Sequence, residues 1–322
     1  MNKLDEAKQV FKTEIEALTK TMNSLDQTYL KILDLIVNCK GKVIFTGMGK
    51  PGHIASKLAA TFSSLGTPSF KLHPAEAMHG DLGMISSNDI VIAISYSGES
   101  DEIIRILPNI KMIGAKLIGI TGNSHSSLAS FCDVVQVLPK FNEACYLGLA
   151  PTSSTTAVLC YGDSLAVVAS GVYGFKDVDF GKFHPAGSLG KKLILRVKDL
   201  MSAGDSNSKV HLHDSLMNAI VELSQKGLGV VSIVDNQISN NLVGVITDGD
   251  LRRQLQRHVD IYSLKVDDIM NKNPITISQN SLAVDALREM KNNNVSCLVV
   301  VDENKPIGII RLQDIIGVGI VE

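Results

Sequence analysis

At 322 residues the chain is long enough for two or three compact units of ordinary size. Its 45% hydrophobic and 20% charged residues exclude extensive disorder. With 31 Lys plus Arg against 33 Asp plus Glu, a net charge of −2 gives no field to recruit nucleic acid or an anionic membrane.

In chain order, the first feature is a helix on which Leu4, Ala7, Phe11, Ile15, Leu18, Met22 and Leu25 recur at steps of three and four. The stripe is narrow, and fits either a helix lying on its own domain or one paired with a partner subunit. Met1 to Lys20 is charged and lacks the apolar core of a signal peptide, and no apolar run approaches the roughly 20 residues that span a bilayer. Cys39, Cys132, Cys145, Cys160 and Cys297 are scattered and odd in number, which suggests neither a disulfide framework nor a zinc cluster. The expectation is a cytoplasmic protein with reduced thiols.

Strand-like runs follow at Lys42–Thr46, Ser69–Leu72, Asp89–Ser95, Lys116–Thr121 and Val134–Leu138. Most are continuous Val/Ile-rich runs, as for strands buried on both faces. Helical patterns separate them at Gly52–Leu65, Glu99–Ile113 and Ser126–Phe131, and a long helix is expected over Ala157–Val172. This alternation predicts an α/β fold, a doubly wound parallel five-stranded sheet whose ligand lies beyond the carboxyl ends of the strands.

Those ends read G-M-G-K-P-G-H (Gly47–His53), H-P-A-E-A-M-H-G-D-L-G (His73–Gly83), S-Y-S-G-E-S (Ser95–Ser100), T-G-N-S (Thr121–Ser124) and F-N-E-A-C (Phe141–Cys145). Gly47, Gly49 and Gly52 match the dinucleotide fingerprint, but Lys71-Leu72-His73 puts no acid where the ribose would need one. Pro51 after Lys50 rules out a Walker-type loop. The hydroxyls at Ser95–Ser100 and at Thr152–Thr156 each open a helix. Either cluster alone would be ordinary capping, but two feeding one rim point to a phosphorylated ligand.

These segments, with E-A-C-x-L-G-L-A-P-T-S-S-T-T and F-H-P-A-G-S-L-G, resemble the sugar isomerase (SIS) domain of D-arabinose-5-phosphate isomerases. The resemblance implies interconversion of D-ribulose 5-phosphate and D-arabinose 5-phosphate, a product used in making the sugar acid Kdo of lipopolysaccharide or capsule. It implies catalytic roles for Lys50, Glu102, Glu143 and His184, and substrate contacts from Gly47, Gly49, Gly66, Thr67, His73, His79, Ser95, Ser97, Thr152, Ser153 and Ser154. His73 resembles the histidine at which members of the family bind an inhibitory zinc ion, and no cofactor is required. The chemistry needs a proton shuttle, enediolate stabilisation and, for the aldose, ring opening. Glu143 suits the first if burial raises its pKa, His184 the last, and Lys50 can offset charge, with Glu102 either orienting it or sharing the proton traffic.

From Val197 the chain repeats itself: Val197–Met201 answers Val266–Met270, Val231–Asp235 answers Leu298–Asp302, and Leu242–Leu251 answers Pro306–Ile315. Each copy reads β-α-β-β-α, is too small to bury a core alone, and resembles a CBS domain, a module that binds adenine nucleotides or related ligands in other proteins. Asp248 and Asp250 are candidates for a nucleotide or nucleotide sugar, or else only cap a helix; Leu312 replaces one of them in the second copy. The expected units are therefore a sugar isomerase domain over 1–190 and CBS modules over 197–257 and 266–322. A short apolar linker with Leu193, Ile194 and Leu195 suggests docked modules. SIS-domain enzymes are generally oligomers, so a homotetramer is expected. Two alternatives are weighed: a sugar-phosphate sensor, whose usual helix-turn-helix has no trace before Lys42, and an isomerase of another sugar phosphate.

Overall fold

The computed structural model describes residues 2–184, 187–257 and 260–321, so Pro185 and Ala186 of the F-H-P-A-G-S-L-G segment lie outside the described residues. The chain divides into a unit over Met1–Asp179 and a second over Phe180–Glu322.

The first unit opens with two helices, α1 (Lys3–Asn23) and α2 (Gln27–Val37). Each is started by a side chain that accepts an otherwise unpaired backbone N–H: Asn2 from Asp5, and Asp26 from Thr28. Then β1 (Val43–Gly47), α3 (Lys50–Ser64), β2 (Ser69–Leu72), α4 (Pro74–Ala77), β3 (Ile90–Ile94), α5 (Asp101–Ile113), β4 (Lys116–Thr121), α6 (Ser127–Phe131), β5 (Val134–Val137) and α7 (Ser153–Val172) follow. The expected strands and helices stand within a few residues of these bounds. All five strands are parallel, in the order β2-β1-β3-β4-β5. The chain winds outward from β1 in one direction and from β3 in the other, so the crevice at the switch point opens where β1 and β3 end.

Both faces are covered. Phe45, Ile92, Ile94, Ile118 and Ile120 pack with residues of α2, α3 and α7, while Ile44, Val91, Ala93 and Leu117 pack with Ile103, Ile106, Leu107 and Ile110 of α5. Each such side chain contributes about 1.5–3 kcal/mol of transfer free energy, which is why these strands read as unbroken apolar runs. By length and composition α7 could cross a membrane, with 39% of its most apolar stretch buried, but here it packs against α1, α2 and α3. A Cβ at Gly162 of α7 would lie 2.5 Å from both methyls of Leu58 of α3, so a glycine is required for that approach.

Most of the α1 stripe does not lie on its own domain. Ala17 and Thr21 are buried, whereas Leu4, Phe11, Ile15 and Met22 are exposed. Where α1 meets α7, Ile15, Leu18, Met22, Leu25, Cys160 and Tyr161 line an apolar groove of about 290 Å³.

A short helix, α8 (Asp177–Phe183), straddles the division, and α9 (Ser188–Ile194) follows in the second unit. The repeats come next. The first is β6 (Ser202–Ala203), β7 (Lys209–His211), α10 (Leu216–Lys226), β8 (Val230–Val234), β9 (Leu242–Thr247) and α11 (Asp248–Gln256). The second is α12 (Val266–Ile269), β10 (Thr276–Ser278), α13 (Ala283–Asn292), β11 (Cys297–Asp302), β12 (Lys305–Arg311) and α14 (Leu312–Gly317). The copies exchange their leading segments. Strand β6 joins the sheet β10-β11-β12-β6, while Asn271 bridges to Val245 beside the sheet β7-β8-β9. Val197 is buried in the core of the second copy and Val266 in that of the first. Each copy thus completes the other, as two cores too small to stand alone require. The linker's Leu195 packs on the second copy, and its carbonyl accepts from Ala283 N at 2.8 Å.

Candidate active site

At the switch point the chain must turn sharply from strand to helix. Gly47 ends β1, and a Cβ on Gly52 would lie 2.5 Å from the Gly47 carbonyl oxygen. These two glycines therefore serve the close approach of α3 to β1, while Gly49 takes a φ of +61° with nothing within 4 Å of where a Cβ would project. Lys50 is the first residue of α3, exposed and without a hydrogen bond or ion pair among the described residues. Glu102 is half-buried in the first turn of α5. The N-termini of α3 and α5 flank the same crevice, so these two residues stand on either side of it.

The loop after β3 is stapled by its own hydroxyls. Ser95 is 2% exposed; its Oγ accepts from Gly98 N at 3.1 Å and lies 2.9 Å from Ser100 Oγ. Gly98 has a φ of +73°, and a Cβ there would lie 2.1 Å from Ser126 Oγ. The Ser95 hydroxyl is thus engaged inside the turn, and Ser97 is the exposed hydroxyl of the pair expected to contact substrate.

A pocket of about 810 Å³ opens over this loop, walled by Met48 and Pro51 after β1, Ser95–Ser97 and Ser100 after β3, Phe141–Glu143 and Cys145–Leu149 after β5, and Pro151 and Ser154 leading into α7. Tyr96 stacks on Phe141 with centroids 5.4 Å apart. Beyond that pair lies a second cavity of about 790 Å³, which shares Tyr96, Ser97, Phe141 and Asn142 and adds Lys20, Glu99, Gly122, Asn123 and Lys140. Loops after β1, β3, β4 and β5 meet here. The loop after β2 lines neither cavity: His79 is exposed on it and His73 half-buried.

Glu143 is the acid in the pocket wall. Its Oε2 accepts from Thr152 N at 2.7 Å, Thr152 Oγ1 at 3.0 Å and Ser154 N at 3.2 Å. The N-terminus of α7, read from the sequence as a seat for an external phosphate, is occupied by a carboxylate of the chain itself. This reverses the expected direction of its pKa. Burial pushes the Glu143 carboxyl up, but the hydrogen bonds from Ser154 and Thr152 outweigh it and hold the group below the usual carboxylate value. Tyr96, buried beside this carboxylate, is pushed up, chiefly by burial and in lesser part by the charge on Glu143.

Of the other residues expected to contact substrate, Ser153 is fully buried and Thr152 Oγ1 is engaged twice, leaving Ser154 as the α7 hydroxyl residue in the wall. Gly66 and Thr67 precede β2, at the amino end of the sheet opposite the pocket, and a Cβ on Gly66 would lie 2.8 Å from the Phe175 ring. Within one chain they are not brought to the rim. His184 belongs to the second unit, at the end of α8. Its Nδ1 lies 2.9 Å from the Phe180 carbonyl and its ring stacks on Phe180. A carbonyl only accepts, so Nδ1 carries the proton of this bond and the neutral ring has its lone pair on Nε2. No group of three or more His, Cys, Asp or Glu side chains, His73 included, converges on a metal position among the described residues. Tyr96, Phe141 and the Cys145–Leu149 wall lie within or beside the rim motifs but were not singled out, since those motifs do not say which of their side chains wall the pocket.

In the second unit a cleft of about 340 Å³ between the repeats is walled by Val230, Val245, Ile275, Val295 and Val299, with Asp248 among its polar groups. Asp250 is not in that wall. Its carboxylate accepts from Thr247 N at 2.9 Å and Thr247 Oγ1 at 2.6 Å and pairs with Arg253, capping α11. The capping reading holds for Asp250, and only Asp248 remains a candidate for a ligand.

A parallel sheet with a hydroxyl-lined switch-point pocket, joined to an exchanged pair of β-α-β-β-α repeats, defines a sugar isomerase domain protein with tandem CBS modules. Accordingly, residues 35–168 match the SIS domain family and residues 197–257 and 266–320 the CBS domain family. The chain is 44% identical over 314 residues to the Escherichia coli K12 arabinose 5-phosphate isomerase KdsD, covering 98% of this chain and 95% of that one. It is 42% identical over 308 residues to the Pseudomonas aeruginosa enzyme of the same name, covering 95% and 94%. A solved E. coli CFT073 protein in complex with arabinose 5-phosphate superposes with a TM-score of 0.56 at 45% identity, covering 57% of this chain and 100% of that one. The chain belongs to the arabinose 5-phosphate isomerase family.

Proposed function

We propose that the chain interconverts D-ribulose 5-phosphate and D-arabinose 5-phosphate through an enediolate, supplying the pentose phosphate from which Kdo is built. The observation that carries this reading is the Glu143 carboxylate in the wall of the 810 Å³ pocket, beside the hydroxyl loop after β3. Thr152 N, Thr152 Oγ1 and Ser154 N anchor Oε2, and the Ser154 side chain adds a further hydrogen bond to the carboxylate. Glu143 takes a proton from C1 of the ketose and returns it to C2, while a hydroxyl proton passes from O1 to O2. Ionised at neutral pH, Glu143 is already in the form that accepts a proton. Ser97 and Ser100, in the loop after β3, receive the phosphate. Lys50, from the crevice edge, offsets enediolate charge, and Glu102 shares the proton traffic. His184, with its Nε2 lone pair, moves the proton that opens the aldose ring. The exposed α1 stripe and α1–α7 groove support assembly through this face into a tetramer, in which Gly66, Thr67 and His184 are offered to a neighbouring site. Asp248 serves a nucleotide or nucleotide sugar in the CBS cleft.

The test is incubation of the full chain with D-ribulose 5-phosphate in EDTA, with the product identified by NMR. Appearance of D-arabinose 5-phosphate supports the reading; its absence, or a different aldose, refutes it.

A further inference from the structure

Thr152 was expected to contact substrate, yet its hydroxyl is committed elsewhere. Thr152 Oγ1 accepts from Ala144 N at 2.8 Å and donates to Glu143 Oε2 at 3.0 Å, and Thr152 N donates to the same oxygen at 2.7 Å. A hydroxyl has one proton, and this one is given to Glu143, so none remains for a sugar or phosphate oxygen. The two tied residues, Ala144 and Thr152, stand at the ends of an eight-residue excursion. Its interior packs on little: Tyr146 is 94% exposed, Leu149 80%, and Gly148 takes a φ of +65° with open space where a Cβ would project. Such a loop fixes the side chain at its root only if its two ends are fastened together.

We propose that Thr152 is a positioning residue, whose hydroxyl fastens the 144–151 loop and holds the Glu143 carboxylate on the start of α7. Fastening acts on both ends at once. The Ala144 N–H bond polarises the hydroxyl toward Glu143, so losing the oxygen removes two bonds and releases the carboxylate from one of its donors. The inference rests on Glu143 being the proton shuttle. The neighbouring titratable groups are Tyr96 from the loop after β3, the Cys145 thiol on the loop itself, and Glu14 of α1, which accepts from Thr156 Oγ1 of α7 at 3.0 Å.

The experiment compares Thr152→Val, which keeps the branched shape without the oxygen, with Thr152→Ser, which keeps the oxygen, each in the full chain and again on a Glu143→Gln background. Turnover of D-ribulose 5-phosphate is followed across pH, with melting temperature as the control for folding. Thr152→Val should lower kcat by roughly tenfold or more, as for a lost hydrogen bond to a charged group, with KM within about twofold. Its acidic limb should move to higher pH, because burial's upward push on Glu143 is less opposed. Thr152→Ser should restore kcat to within about twofold and the limb to its place, and on Glu143→Gln the Val change should cost nothing further. A raised KM with unchanged kcat would make Thr152 a substrate contact and overturn the proposal, as would equal losses in Val and Ser. Full activity of Glu143→Gln alone would instead remove the shuttle assignment. If Thr152→Val does not fold, Thr152→Ala carries the same comparison, and a limb unmoved in it overturns the proposal.

Discussion

Replacing Gly98 by Ala tests whether the loop after β3 is shaped as described. Two costs add there. A φ of +73° is open to glycine but costs an L-residue about 1–2 kcal/mol. The new Cβ would also lie 2.3 Å from Ser126 Cβ and 3.0 Å from Thr121 Oγ1, an overlap with a short cap residue that cannot swing away, worth about 1–3 kcal/mol. Gly49 is the matched control: φ is +61°, but nothing lies within 4 Å, so only the first cost applies. For a unit of this size each kcal/mol moves the midpoint by about 2–4 °C. Gly49→Ala should therefore lower the first unit's melting temperature by about 2–8 °C, and Gly98→Ala by about 4–20 °C. Differential scanning calorimetry separates the two units' transitions, and D-ribulose 5-phosphate kinetics report the site. Gly98→Ala should also raise KM, since the turn that aims Ser97 and Ser100 must open to relieve the overlap. Equal shifts in the two variants would refute the reasoning, because the steric part would then be absent.

Other perturbations separate the remaining roles. Glu143→Gln and His184→Ala should each lower kcat by about 10²-fold or more, read from initial rates, while leaving the melting profile near neutral pH close to that of the parent for His184→Ala. Glu143 has a folded pKa below its unfolded value, so its contribution to stability is present above the unfolded pKa, about 4.3, and is lost as pH falls through the folded one. The parent should accordingly melt above Glu143→Gln at pH 7, and the gap should close in strong acid; a gap that widens on acidification would contradict the hydrogen bonds at α7. Iodoacetamide should label Cys145, whose thiol is drawn down by the Ala150, Leu147, Leu149 and Gly148 backbone N–H groups, well before Cys132, which burial pushes up to about 12; peptide mapping decides the order. Phe11→Asp with Ile15→Asp should reduce the assembly's size by sedimentation, and an unchanged sedimentation coefficient would remove the α1 face from the interface.

The parts of this molecule that were legible in the sequence are those where one physical cause writes one pattern. Strands buried on both faces must be apolar throughout, so β1, β3 and β4 read plainly as Val/Ile runs, and a parallel sheet puts every strand's carboxyl end on one rim. What stayed illegible is where two causes write the same residues. Thr152–Thr156 looks the same whether α7 receives a phosphate or the chain's own Glu143, because a helix N-terminus asks only for negative charge and not for its source. Asp248 and Asp250 are likewise indistinguishable by type. Only the fold shows that the third helical residue closes onto Thr247 while the first faces the cleft, because a capping bond spans three positions and a cleft wall obeys no spacing. The α1 stripe was ambiguous for the same reason, since burial against one's own domain and against a second copy demand equal apolarity. The structure turns Ala17 and Thr21 inward and Phe11 and Ile15 outward, so most of the stripe is not buried against its own domain. In the mechanism proposed above, Glu143 acts with its charge already compensated: a base held ionised by α7 is poised to receive a proton without first being stripped of one. It is a weaker base for being so held, and the balance between those two effects is what Thr152 sets.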